Sequence, residues 1–99
     1  MHPAELPPLH LQATRGRPLA IELEAMPGAG SVWQLPPAPP GCTLVEAAAT
    51  PAGAGTGGPA LQRFVLTAAD AGRLTLHFER RRPWETQVHA RQTVQVDVR

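Results

Sequence analysis

Three stretches of this 99-residue chain carry residue types suited to gripping another molecule rather than transforming one. Arg82-Pro83-Trp84 sets a planar cationic fork beside a ring that fixes φ and a large aromatic, and Trp and Arg are among the side chains that dominate interface energetics. Gly55-Thr56-Gly57-Gly58 offers backbone with little side-chain shielding, so a partner's main chain can approach it and pair as a strand does. Met26-Pro27-Gly28-Ala29-Gly30-Ser31 joins one stiff residue to freely turning ones and ends two residues before Trp33. Arg82 also belongs to a run with Arg80 and Arg81, which reads alternatively as a solvated charge cluster. Trp84 reads alternatively as a ring folded back on the rim of the body.

Catalytic patterns are missing. The chain has one serine, Ser31, and one cysteine, Cys42, and neither lies in a nucleophile motif. Cys42 follows Pro40-Gly41 and reads as a small, partly buried apolar residue; a single cysteine excludes an intrachain disulfide and a cysteine-based structural zinc site. Gly55–Gly58 lacks the GK[ST] ending and the following helix of a phosphate loop. His77 and His89 fall on polar strand faces and would approach each other if their strands pair, yet no third ligand is placed, and they read as surface histidines. No catalytic residue, metal or cofactor is assigned.

Loops of this kind need a rigid body, and the apolar pattern specifies one. Period-2 alternation dominates. In residues 18–24, Leu19, Ile21 and Leu23 share a face; in 73–79, Leu74, Leu76 and Phe78 do. In 87–98 the even positions Val88, Ala90, Val94, Val96 and Val98 are apolar, interrupted by Gln92. Weaker strands are expected over 5–12, 31–35, 42–47 and 61–68, with Trp33 and Leu35 both inward. Half-buried strands of an antiparallel sheet separated by turn signals predict an all-β sandwich.

Successive connections between antiparallel strands alternate between the two ends of such a sandwich. Residues 26–30, 50–59 and 80–86 are the first, third and fifth connections, so they are expected at one pole. The proline-rich 36–41 and the tight turn 69–72 fall at the other. Three unusual loops gathered on a rigid scaffold make a recognition surface.

Composition agrees. Hydrophobic residues make up 42% and the net charge is +1, which argues against disorder. Twelve Pro and nine Gly disfavour long helices, and no apolar run reaches the length of a membrane span. Nine arginines face eight acids, and the Arg80–Arg82 cluster lacks interleaved aromatics, so neither nucleic acid nor membrane is an expected partner. The opening MHPAELPPLH has no basic n-region or apolar h-region. The chain therefore reads as cytoplasmic, or as a periplasmic or secreted mature form with an added Met.

In order and spacing, the three stretches resemble the loops of the chagasin-like family of cysteine peptidase inhibitors. That family carries an NPTTG-type loop shortly before a Trp, a GxGG loop and an RPW loop. Here they correspond to Met26–Ser31 with Trp33, to Gly55–Gly58, and to Arg82-Pro83-Trp84 followed by Glu85. The likeness covers roughly residues 15–99. It implies an immunoglobulin-like antiparallel β-sandwich of about seven to eight strands, one domain over 1–99 with 1–14 partly flexible. It also implies a reversible, competitive protein inhibitor of papain-like cysteine peptidases, monomeric when free, that wedges its loops into the catalytic cleft. The implied contact residues are Met26, Pro27, Gly28, Ala29, Gly30, Ser31, Gly55, Thr56, Gly57, Gly58, Arg82, Pro83 and Trp84. The first loop departs from the pattern: Met26 stands for Asn, Gly28 and Ala29 for two Thr, and Ser31 for an aromatic. The alternative is a non-inhibitory immunoglobulin-like binding or adhesion module that keeps the scaffold and has lost the wedge.

Overall fold

The computed structural model describes residues 3–25, 30–51 and 60–99. Among them there are eight strands and no helix: β1 (Ala4–Glu5), β2 (Leu9–Ala13), β3 (Leu19–Ala25), β4 (Val32–Trp33), β5 (Cys42–Pro51), β6 (Ala60–Ala68), β7 (Gly72–Arg81) and β8 (Ala90–Val98). They form two sheets. One runs β1-β8-β7-β4, with β2 also on β8; the other runs β3-β6-β5. The expected all-β sandwich is the observed fold.

Alternation places the core where the pattern predicts it. Ile21, Leu23 and Ala25 of β3 and Phe64, Leu66 and Ala68 of β6 are buried from one sheet. Leu76 and Phe78 of β7, with Ala90, Val94, Val96 and Val98 of β8, are buried from the other. The rings of Phe64 and Phe78 meet across the gap, centroids 4.9 Å apart and tilted by 52°.

Three differences from the sequence expectation have physical causes. The N-terminal arm is two strands rather than one, and both pair with β8 in parallel. Pro7 and Pro8 cannot donate to a ladder and interrupt the arm. Five residue steps from Ala4 to Leu9 face only four on β8, from Ala90 to Val94. Gln92, the polar break in the apolar face of β8, is 5% exposed and donates from Nε2 to the Pro7 carbonyl at 2.7 Å. It satisfies the backbone at the interruption. The strand expected over 31–35 shortens to two residues, and Leu35 is 47% exposed rather than inward. Finally, β8 begins at Ala90, which leaves Val88 and His89 in the preceding loop.

Trp33 is in the core at 2% exposure, as expected. What holds it there is Gln62 of β6, on the same inward parity as Phe64 and Leu66. Its Oε1 accepts from the Trp33 amide at 2.6 Å and its Nε2 donates to the Trp33 carbonyl at 3.1 Å and to Glu46 Oε2 at 3.2 Å. The Trp33 indole Nε1 donates to the Glu24 carbonyl at 2.9 Å. One short edge strand of one sheet is thereby fastened to two strands of the other.

Replacing Gln62 by Leu leaves the Trp33 amide and carbonyl without these partners in a buried site. The expected loss is about 2–4 kcal/mol, lowering the melting midpoint by roughly 10–20 °C. Gln92→Leu removes one donor shared by the Pro7 and Thr93 carbonyls, the former on an exposed residue, and should cost about 1 kcal/mol. Thermal denaturation of the two variants checks both; equal losses would contradict the inter-sheet role of Gln62.

Candidate functional site

The bases of the three unusual loops converge. Ala25 at the end of β3 pairs with Ala60 at the start of β6, and Pro51 at the end of β5 pairs with the same Ala60. Val32 at the start of β4 pairs with Arg81 at the end of β7, and Arg80 pairs with Ala90 at the start of β8. Met26, Pro27, Gly28, Ala29, Gly55, Thr56, Gly57 and Gly58 lie outside the described residues. Gly30, Ser31, Arg82, Pro83 and Trp84 are described, and the fold brings them together.

The third loop is a tight turn held from within. The Glu85 amide donates to the Arg82 carbonyl at 3.0 Å, with Pro83 at the first corner, where its fixed φ suits a turn, and Trp84 at the second. Arg81, the last residue of β7, folds its guanidinium under this turn. Its Nη1 donates to the carbonyls of Glu85 at 2.6 Å and Pro83 at 3.4 Å. Those carbonyls would otherwise need water, so the chain itself satisfies the turn.

Trp84 projects from this corner with 73% of its surface exposed, more than any other large hydrophobic residue among those described. The reading of a ring folded into the rim does not hold. One edge of the ring rests on Gly30: a Cβ on that glycine would lie 2.7 Å from Trp84 Cη2. Gly30 also has φ +76, a left-handed conformation that other residues adopt only with strain. The glycine kept from the first motif and the tryptophan of the third are thus in direct contact, which spacing alone does not reveal.

Ser31 is buried at 4% exposure, and its Oγ lies 3.2 Å from His89 Nδ1. His89 Nε2 in turn lies 3.3 Å from Glu85 Oε2, and Glu85 Oε1 accepts from Arg82 Nη1 at 3.2 Å. So the position at which an aromatic is replaced by serine is one end of a polar chain reaching Arg82. His89 is not the surface histidine expected. His77 is exposed on β7 opposite Thr93, so the two histidines do not pair. Among the described residues no three His, Cys, Asp or Glu side chains gather as a metal ion would require. Cys42 is partly buried against the core, as expected of a small apolar residue.

The arginine run is neither a solvated cluster nor a basic patch. Arg80 lies over the Trp33 ring, 5.6 Å from its centroid; Arg81 clamps the turn; Arg82 pairs with Glu85. The residues missed in the sequence are Arg81, Gln62, Glu85 and His89. For Gln62 a signal was available, since it is a polar residue on the inward parity of β6. Glu85 and His89 left none, because their partners are distant in the chain or reached through a turn.

Residues 12–98 match the model of the chagasin family peptidase inhibitor I42, and the chain belongs to that family. Its members are peptidase inhibitors, not enzymes. Among solved structures, the chain is similar to the crystal structure of the cysteine protease inhibitor EhICP2 from Entamoeba histolytica. Identity is 21%, the alignment covers 100% of this chain and 99% of that one, and the TM-score is 0.65. No match is found among curated proteins.

The Gly30 backbone and the Trp84 ring predict separable effects. Gly30→Ala should cost about 1–2 kcal/mol through its positive φ. The exposed ring can swing aside, so Gly30→Ala with Trp84→Ala should remain destabilised by a similar amount relative to Trp84→Ala alone. Denaturant midpoints measure this. Full recovery in the double variant would show that the ring contact, not φ, sets the cost.

Proposed function

We propose that this protein is a reversible, competitive inhibitor of papain-like cysteine peptidases, and that its three-loop pole enters the catalytic cleft and excludes substrate. One observation carries the reading. Trp84 is a large apolar side chain held out in water at the corner of an internally clamped turn and seated on the glycine of a second loop. Exposing an aromatic of this size opposes the hydrophobic effect, and a preordered anchor lowers the entropy lost on binding. The family of the chain and the name of its structural neighbour, a cysteine protease inhibitor, support the same target class.

In this reading Trp84 and Pro83 make the central contact. Gly55, Thr56, Gly57 and Gly58 pair their backbone along one cleft wall, and Met26, Pro27, Gly28, Ala29 and Gly30 approach the nucleophile. Ser31 and Arg82, with side chains engaged inside the protein, support the surface from beneath. Inhibition is steric, so the inhibitor need hold no bond of its own in attack geometry and no reactive group takes part. The thiol of Cys42, at the start of β5, plays no role.

Titration of papain at several substrate concentrations tests this. Inhibition is expected to be competitive, to reverse on dilution, to leave the inhibitor uncut and to survive Cys42→Ser. Trp84→Ala should weaken binding by about 2 kcal/mol or more, roughly thirtyfold, with an unchanged unfolding midpoint. Arg82→Ala should cost less. A protein that leaves papain fully active at micromolar concentration would instead be the non-inhibitory module.

A further inference from the structure

The binding pole joins loops that belong to opposite ends of the sequence, and a surface of that kind works only if its parts keep a fixed angle. Among the described residues, two contacts link the first loop to the Arg-Pro-Trp turn. One is the touch of the Trp84 ring on Gly30. It is apolar, made by an exposed side chain, and cannot by itself prevent rotation of that side chain. The other is the polar chain Ser31–His89–Glu85–Arg82.

The geometry of that chain is complete at every joint. The two ring nitrogens of His89 meet different partners, Nδ1 the Ser31 hydroxyl and Nε2 the Glu85 carboxylate, to which an Nε2–H donates. The second carboxylate oxygen of Glu85 takes Arg82, and the Glu85 amide closes the turn on the Arg82 carbonyl. His89 is itself anchored through its backbone: its amide donates to Arg80 at 2.8 Å and its carbonyl accepts from Ala4 at 3.0 Å. Ser31 is nearly excluded from water, and the side chains of His89 and Glu85 are 25% and 31% exposed. Links screened from solvent to this degree hold their geometry better than surface ion pairs do.

We propose that Ser31, His89 and Glu85 form a strut that sets the angle between the exit of the first loop and the Arg-Pro-Trp turn. They are positioning residues for Trp84. The strut stands on contacts in the free protein; its consequence for affinity rests on the inhibitor reading above.

Two measurements separate the strut from that reading. In the free protein, time-resolved fluorescence anisotropy follows the indoles; Trp33 is buried and turns with the whole molecule, so fast local motion reports Trp84. Glu85→Gln and His89→Ala should raise the amplitude of that fast motion by roughly a factor of two, with melting midpoints close to the parent. An unchanged amplitude in Glu85→Gln, which keeps the side chain's volume, overturns the proposal whether or not the protein inhibits anything. In the papain complex, Ser31→Ala and Glu85→Gln should speed dissociation by roughly three- to tenfold, and by less than about twofold when Trp84→Ala is already present. A loss of full size in the Trp84→Ala background would mean that these residues act through general stability and not through Trp84, and would also overturn the strut. If the parent itself leaves papain active, the inhibitor reading fails while the anisotropy result still decides the strut.

Discussion

A strand of two residues cannot hold itself against a sheet, and the loop-bearing pole depends on the side chain that does so for it. Gln62 treats the Trp33 backbone as a neighbouring strand would, accepting its amide and donating to its carbonyl. β4 has β7 on one side and this one amide side chain on the other. Once that link is in place, Trp33 fills the space between the sheets, its indole reaches the Glu24 carbonyl, and Ser31 and Gly30 are delivered to the edge of the third loop. A buried Gln is tolerated because its principal hydrogen bonds are made inside the protein; an apolar residue there would leave two buried backbone groups unmatched.

From this footing the described part of the pole is held without a disulfide. Arg81 ties the carbonyls of its own turn, Pro83 fixes one corner, and the left-handed Gly30 gives the Trp84 ring a flat place to rest. These devices act on short, local stretches, where the entropy to be lost is small. They leave an indole in water, which is costly for a protein with no partner and useful for one that has one.

The three consecutive arginines show how position along a strand end divides identical side chains. Arg80 faces inward over Trp33, Arg81 turns under the loop, and Arg82 meets Glu85. Each meets a different neighbour: an aromatic ring, two backbone carbonyls and a carboxylate. Composition counts these charges alike, but their surroundings differ.

The alternation of apolar residues in β3, β7 and β8 was enough to determine the inward face of those three strands and, by parity, a common pole for the bases of the three motif loops. Those features follow from period and chain order, which are local properties. The parallel addition of the N-terminal arm to β8 was not legible, because nothing within Ala4–Ala13 distinguishes one sheet edge from another; the prolines mark only where the arm breaks. The role of Gln92 became evident once Pro7 was placed beside it, and that of Gln62 once Trp33 was. The contact of Gly30 with Trp84 and the line from Ser31 through His89 to Glu85 join residues more than fifty positions apart. Pattern and spacing describe each strand and loop separately, whereas such contacts exist only after the two sheets have packed and brought the loop ends within reach of a side chain.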